Sequence, residues 1–429
     1  MSDYPDEWKV SKFDSLFTIA IGGTPSRVEP LYWDSNFKSE NHWVSIRDLK
    51  QKKIIHTKER LTELGIKKSN VKLIPKGSLL MSFKLSVGKL AIAGQSLYTN
   101  EAIAAFLPKD NRINMDYCYQ GMQHWDLLRD IDQAVKGVTL NKEKLAKLEA
   151  ILPPLPEQQK IAAILSSVDE VIEKTQAQIN KLKDLKTGMM QELLSPREGQ
   201  AANGTGTQGK NGAGLHHSEF KDSPLGRIPV GWEVAKFKDV FIDYKYGPRF
   251  SSKDYSPNGN VKTIRGTDVA NNGEVHYQQV PTAQIDADTV EAHKLKDGDL
   301  VMITTADCGA SAVFREQNIP YIASAYAIKL TPTDKVIPAY IKFFMQTSNA
   351  MTQIESFIRK GTVANLPGSD VMNIELALPP IKSQEKISSI LNALEDKIEL
   401  VIKKNIQLKH TKKALMQDLL TGKVRVKVD

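Results

Sequence analysis

The 429-residue sequence predicts an α+β chain built as a pseudo-two-fold internal repeat, with two globular halves and two long helices that pair as a coiled coil. Three observations carry this. LPPLPEQQKIAAIL at 152–165 reappears as LPPIKSQEKISSIL at 378–391, and the ungapped match runs on to Ser195 and Thr421, closing in MMQELL and LMQDLL. Stacked solenoid units repeat every few tens of residues, so an offset of 226 positions marks duplicated domains instead. Within each copy the apolar residues lie three and four apart, the spacing of one helix face. Outside the copies, strand-like runs such as LLMSF, AIAAFLP, DLVMIT and YIASAYAIKL are mixed with helical stretches such as DYCYQGMQHWDLLRDI and PAYIKFFMQTSNAMTQIESFI.

The first globular half spans 1–151 and the second 223–377. Their kinship is fainter than that of the helices but ordered. DEWKVSKFDSLF at 6–17 echoes VGWEVAKFKDVF at 230–241, and SIRDL at 45–49 echoes TIRGTDV at 263–269. IPKGSLLMSF at 74–83 echoes LKDGDLVMIT at 295–304, and VKGVTLN at 135–141 echoes RKGTVANL at 359–366. Between these anchors the halves share almost nothing, as one frame carrying two specificities requires.

The first long helix lies within 152–196. Ile161, Leu165, Val168, Ile172, Ile179, Leu182, Met189 and Leu193 form its seam. Ile387, Leu391, Leu394, Ile398, Val401, Leu408, Leu415 and Leu419 form that of the second, within 378–429. Each opens after a Pro-Pro pair, which cannot lie inside a helix, and closes near Ser195-Pro196 or Thr421-Gly422. About 38 residues of helix reach roughly 55–60 Å, which overhangs a 150-residue domain and favours burial of one seam on the other over burial on the globular half alone. The Gly-rich stretch REGQAANGTGTQGKNGAG at 197–214 makes 197–222 a flexible linker.

Lys and Arg number 58 against 50 Asp and Glu, a net charge of +8 that favours a polyanionic partner. Cys118 and Cys308 are the only cysteines, too few for a disulfide framework or a cysteine zinc site, as in a reducing compartment. The opening MSDYPDEWKV lacks a basic and an apolar signal region, and no eighteen apolar residues run together, so a cytoplasmic protein with no membrane association is expected.

These doubled segments resemble the conserved regions of type I restriction-modification specificity subunits, the S or HsdS subunits. There a proline-rich opening followed by Glu-Gln leads into a long helix ending in paired leucines. IGGTPSRVEPLYW with WVSIRDLK at 43–50 also resembles the start of that family's target recognition domains. The second half departs from it, with YKYGPRFSS in place of GGTPS, no counterpart of Trp33, and Lys382-Ser383 where the first copy has Pro156-Glu157. The resemblance implies two target recognition domains held apart by an antiparallel helix pair, each reading one half of a bipartite double-stranded DNA site. It also implies two methylase subunits docked on the helices, and two restriction/translocase subunits joined through them. S-adenosylmethionine, ATP and Mg²⁺ would then be bound by those partners, and none by this chain.

Sequence is read from base edges, whereas phosphate contacts fix register and supply most affinity. Candidates for DNA contact are basic residues on Gly- and Ser-rich stretches beside strands, together with glycines whose amides can approach phosphates. In the first half these are Gly22, Gly23, Thr24, Pro25, Ser26, Arg27, Arg47, Lys84, Lys89, Lys136 and Gly137. In the second they are Gly247, Arg249, Arg265, Arg359, Lys360 and Gly361. Candidates for partner binding are the doubled Gln158 and Lys160 with Gln384 and Lys386.

No catalytic or metal-binding residue is expected. GTGTQGKN at 204–211 nearly matches a phosphate loop, but Asn211 stands where Mg²⁺ needs Ser or Thr. No Asn-Pro-Pro or Asp-Pro-Pro precedes an aromatic, the loop an amino methylase uses to hold an extruded base. Glu395-Asp396-Lys397 resembles a nuclease fragment but falls inside the second helix, where a solvated face is expected. The eight histidines show no metal spacing. Two rivals remain: a coiled-coil adaptor without a DNA role, and a DNA-modifying enzyme with a drifted motif. The first predicts no preference among DNA sequences, the second methyl transfer by the chain alone.

Overall fold

The computed structural model describes residues 4–84, 86–125, 140–194 and 219–428. Lys136, Gly137 and the Gly-rich stretch therefore lie outside the described residues. The chain forms two compact units, Met1–Ala177 with Ile402–Asp429, and Gln178–Val401. Both long helices pass from one unit to the other, so each unit owns part of each helix, a division that a reading of whole helices as separate segments does not anticipate. Among the described residues no helix is long and apolar enough to cross a membrane.

In the first unit β1 (Lys9–Lys12) leads through the short α1 (Phe13–Leu16) into β2 (Phe17–Ile21). β3 (His42–Val44), β4 (Lys53–Ile54), β5 (Glu59–Arg60), α2 (Glu63–Lys67), β6 (Leu79–Ser82) and β7 (Leu90–Ala93) follow. Next come β8 (Tyr98–Thr99), β9 (Ile103–Pro108), α3 (Met115–Met122), α4 (Lys142–Lys147) and β10 (Glu149–Leu152). A five-stranded sheet runs β2-β9-β6-β7-β4, a small sheet runs β5-β3-β8, and β1 pairs with β10. Leu79, Met81 and Phe106 on one face of the larger sheet pack with Phe13, Phe17 and Tyr117, all essentially without solvent contact.

α5 (Leu155–Leu194) connects to the second unit, where β11 (Phe220–Lys221) pairs with β12 (Ile228–Pro229). This pairing places residues assigned above to the linker inside the second globular half. β13 (Glu233–Lys236), α6 (Phe237–Val240), β14 (Phe241–Tyr246), β15 (Val261–Ile264), β16 (Thr282–Ala283), α7 (Ala287–His293) and β17 (Leu300–Ile303) follow. Then come β18 (Ser311–Val313), β19 (Tyr321–Ala323), β20 (Ala327–Pro332), α8 (Pro338–Phe344), α9 (Ser348–Phe357), α10 (Gly368–Val371), β21 (Glu375–Leu378) and α11 (Ile381–Leu420). The sheets β14-β20-β17-β18 and β16-β15-β19 and the pair β13-β21 reproduce the first unit's strand order; among the described residues β4 has no counterpart in the second unit and the β11-β12 pair none in the first. The repeat is therefore a whole-domain duplication. One echo shifts register: β3 and β15 end at Val44 and Ile264, so Arg265 corresponds to Ser45, and Thr267 to Arg47.

Each long helix is 40 residues, beginning immediately after its Pro-Pro pair. In the first unit Lys412 Nζ lies 2.7 Å from Asp169, and the buried Asn405 donates to Gln176 Oε1 at 2.9 Å. Seven residues forward on α5 is thus seven residues back on α11, the mark of an antiparallel pair. A buried Asn in an apolar seam costs stability and fixes register, because slippage would strand it. In the second unit Lys186 meets Glu395 at 2.6 Å. Asp169 and Glu395 are equivalent in the repeat, as are Lys186 and Lys412, so one ion pair is written twice.

The seams have two partners, not one. Ile161 and Leu165 enter the first half's core together with Met416, Leu419 and Leu420 from the end of α11. Ile387 and Leu391 enter the second half's core with Met190 and Leu194 from the end of α5. Glu157, 1% exposed, accepts from Trp8 Nε1 at 3.2 Å and from Arg425 at 2.7 and 2.9 Å, fastening the tail after α11 to the chain's beginning.

Candidate nucleic-acid interface

In the larger sheet of the first unit the strands β2, β9, β6 and β7 are mutually antiparallel, so β2 ends, β9 begins, β6 ends and β7 begins at one edge. The loop 22–27, the turn 100–102 and the hairpin tip with Lys84 and residues 86–89 therefore leave the sheet together. β3 runs parallel to β8 and ends beside Thr99, which adds the 3₁₀ turn Ile46–Asp48 carrying Arg47. The second unit repeats this arrangement. Phe83 N–H donates to Ala102 O at 2.9 Å and Thr304 N–H to Tyr326 O at 2.8 Å, and the amides of Asn100 and Ser324 donate to Val44 and Ile264 at 3.0 and 2.9 Å. Its edge gathers the loop from Gly247, the turn Gly266–Asp268 after Arg265, and the hairpin tip 304–310. The segment 359–366 lies on that tip through Ala306 N–H to Ala364 O at 3.0 Å and Leu366 N–H to Thr304 O at 2.8 Å. The candidates that lie within the described residues thus converge on equivalent edges, one in each unit.

The glycines have a different role from the one expected. Gly22 and Gly23 donate their amides to Ile103 O at 3.2 Å and Thr99 O at 2.8 Å, and Gly247 donates to Ala327 O at 3.1 Å. Those N–H groups are occupied and do not face an anion. A Cβ on Gly22 would strike the carbonyl oxygens of Thr99 and Asn100, and one on Gly247 those of Ala323 and Ser324. Glycine is required at both positions by close backbone approach.

What the first loop presents is arginine on an aromatic shelf. Trp43 Nε1 donates to Gly23 O at 2.9 Å and Trp33 Nε1 to Ser26 O at 3.1 Å, while Pro25 is buried and Thr24 donates to Glu101. The Arg27 guanidinium then lies 3.7 Å above the Trp33 ring and 4.8 Å from that of Trp43. Arg27 and Arg47 are both half exposed and both pair with Glu59 on β5. Lys84 lies over the Phe83 ring at 5.4 Å, and Lys89 is exposed at the same tip. Planar guanidinium groups held on aromatic faces suit bidentate contact with phosphates and guanine edges.

In the second unit Arg249, Lys360 and Gly361 are exposed, and Arg359 reaches Asp370 at 3.4 Å. Arg265 donates to the fully buried Asp268 at 3.1 and 3.2 Å, and that hydrogen bonding raises its already high pKa. Sequence reasoning missed Tyr326, 65% exposed in the equivalent of the turn Asn100–Ala102, and Glu59. An aromatic inside an apolar run reads as core, and Tyr326 gives no other signal.

The doubled glutamines are not on an outer face. Gln158, 2% exposed, accepts from Asn114 N–H at 2.9 Å and donates to Arg112 O at 3.1 Å and Pro153 O at 2.9 Å. Gln384, 1% exposed, does the same with Ile337 N–H at 2.9 Å, Lys335 O at 3.0 Å and Pro379 O at 2.9 Å. Each clamps the first turn of a long helix to the turn before α3 or α8. Lys160 and Lys386, two residues on, are exposed.

The family model described as the type I restriction modification DNA specificity domain matches residues 5–184 and again residues 229–410. The chain is 23% identical to the type I restriction enzyme MjaIX specificity subunit of Methanocaldococcus jannaschii, over 98% of this chain and 94% of that protein. It is 21% identical to the EcoKI specificity subunit of Escherichia coli, over 89% and 81%. Among solved structures, the S subunit of the M. genitalium type I restriction-modification system shares its fold, with a TM-score of 0.56 at 14% identity over 98% and 97% of the two chains. Two copies of one specificity domain, in the order and with the paired helices that the coordinates show, make this chain a member of the type I restriction-modification specificity subunit family, the proteins that carry the DNA sequence specificity of those systems.

Proposed function

We propose that each globular half reads one part of a bipartite double-stranded DNA site with the strand-end edge described above, while the exposed faces of α5 and α11 dock two methylase subunits. Two restriction/translocase subunits join through the methylases. S-adenosylmethionine, ATP and Mg²⁺ are held by those partners, and this chain contributes recognition without catalysis; the assembly acts on DNA in the cytoplasm. One observation supports the reading above all: two topologically equivalent edges carry dissimilar loops, each with exposed arginine, on a duplicated scaffold. The test replaces residues 17–108, β2 through β9, by the matching segment of another family member, which leaves the contacts of Trp8, Glu157 and Gln158 in place. Methylome sequencing of a host expressing the hybrid with its methylase is expected to show one half of the site changed and the other intact. Change in both halves would overturn independent readout, and methyl transfer by the purified chain alone would overturn the division of labour.

Docking and stability separate at the start of each helix. Gln158→Ala or Gln384→Ala leaves a buried N–H and two carbonyls without the side-chain amide, and is expected to destabilise its unit by about 2 kcal/mol with methylase binding retained below the melting transition. Lys160→Glu with Lys386→Glu is expected to do the reverse, weakening methylase binding in native mass spectrometry with the thermal midpoint unchanged. A docking loss confined to the glutamine variants would contradict the assignment.

A further inference from the structure

We propose that Glu59 is an internal counter-anion that stands, in the free chain, where a DNA phosphate stands in the complex, and that it has to be displaced from Arg27 and Arg47 for DNA to bind. This rests on the reading of that edge as the DNA face. Three separate segments meet here: Glu59 on β5, locked opposite Trp43 of β3, Arg27 from the loop after β2, and Arg47 from the turn after β3. Arg27 reaches both carboxylate oxygens, Nη1 to Oε1 at 2.5 Å and Nη2 to Oε2 at 3.4 Å, while Arg47 Nη2 shares Oε2. A phosphate offers the same fork-on-oxygen geometry to guanidinium groups.

The arrangement differs from a structural ion pair in three respects. One carboxylate faces two cations, so the cluster keeps a net positive charge. The arginines are half exposed at 52% each while Glu59 is mostly covered at 23%, so the open side of the cluster is the cationic one. And Arg27 is held by the Trp33 ring independently of Glu59, so its guanidinium stays in place when the carboxylate leaves. Among the described residues the second unit shows no such device. Its Arg265 is tied to Asp268, which is fully buried and also accepts from the Arg265 amide at 2.9 Å, and so has nowhere to go.

The test uses the full chain with its methylase and a short mixed-sequence duplex, with affinity measured by fluorescence anisotropy across a salt series. Glu59→Gln raises the net charge of the cluster from one to two. The plot of log affinity against log salt is then expected to steepen by about 0.9, with affinity rising roughly five- to tenfold near 0.1 M salt. Glu59→Ala is expected to do the same and serves if the glutamine variant folds poorly; Glu59→Asp is expected to keep the wild-type slope. Unchanged slope and affinity in both neutral variants, or weaker binding, would overturn the counter-anion role. If Arg27→Ala with Arg47→Ala leaves affinity and slope unchanged, the DNA-face reading fails instead, whatever Glu59 does.

Discussion

Glu395→Ala is expected to destabilise the second unit by about 3–5 kcal/mol, the range for removing one partner from a buried ion pair. The Glu395 carboxylate bridges Lys186 of α5 and Lys342 of α8, at 2.6 Å each, and these three side chains are at most 16% exposed. Alanine would leave two ammonium groups out of water without a buried carboxylate, keeping Gln346 and the more exposed Glu274, each 3.0 Å away, and the face of Phe343 as partners. Hydrogen exchange along α8 and the facing turns of α5 and α11 reads this unit directly. Three comparisons fix the cause. Glu274→Ala, removing a carboxylate that is 58% exposed, is expected to cost under about 1 kcal/mol. Asp169→Ala is expected to fall between, because Asp169 holds one cation, Lys412, and a neutral donor, Gln120, at 2.6 Å. Replacing Lys186, Glu395 and Lys342 together by methionine is expected to restore most of the loss, since a buried ionic cluster exchanged for apolar groups of similar volume is often neutral. A Glu395→Ala chain within about 1 kcal/mol of the parent would show that the cluster is not desolvated in solution.

That cluster also marks where the sequence stops being legible. The seam periodicity, the Pro-Pro openings and the offset of the repeat fix the two helices to within a residue or two, because helix geometry is local. The register of α5 on α11 is not local, and neither is the fate of Glu395, which reads as one member of a solvated acidic triplet until Lys342 arrives from a different element. Gln158 and Gln384 mislead for the opposite reason. A polar residue doubled across a repeat invites a surface role, whereas the coordinates give it the backbone of the preceding turn. Among the candidates for DNA contact, residue type and loop context pick out Arg27, Arg47, Arg249 and Arg359, which the fold gathers at two equivalent edges, but Glu59 lies in a two-residue strand with no motif of its own. Its meaning comes from pairing opposite Trp43, which is tertiary information.

Insertion of four residues after Gln178 and four after Ile402 is expected to lengthen the unread spacer of the DNA site by one or two base pairs while both half-sites stay the same. Asp169 with Lys412 and Gln176 with Asn405 inside the first unit, and Lys186 with Glu395 inside the second, follow one antiparallel register along the two sequences, and the two cuts are matched in that register. They fall within a residue of the places where the chain passes between its two units. Four residues add about 6 Å of helix, on the order of two base pairs of rise. Because 3.6 residues complete a turn, four bring the seam almost back into phase, so that Ile179, Ile398 and Val401 remain buried. Two residues in each helix instead rotate one part of the seam by roughly 200°, and this variant is expected to fail to assemble. On the original site the four-residue variant can engage only one half, and its affinity is expected to fall on the order of 10³-fold towards the non-specific level. Methylome sequencing reads both outcomes in one experiment, as loss of methylation at the original sites and its appearance at sites with the longer spacer. Residues 197–214 supply the contrast: their composition is that of a flexible tether, and removing a few of them is expected to leave the spacer unchanged, because a flexible tether does not set a distance. A spacer that followed the length of 197–214 and ignored the helix insertions would overturn the assignment of the helices as the ruler.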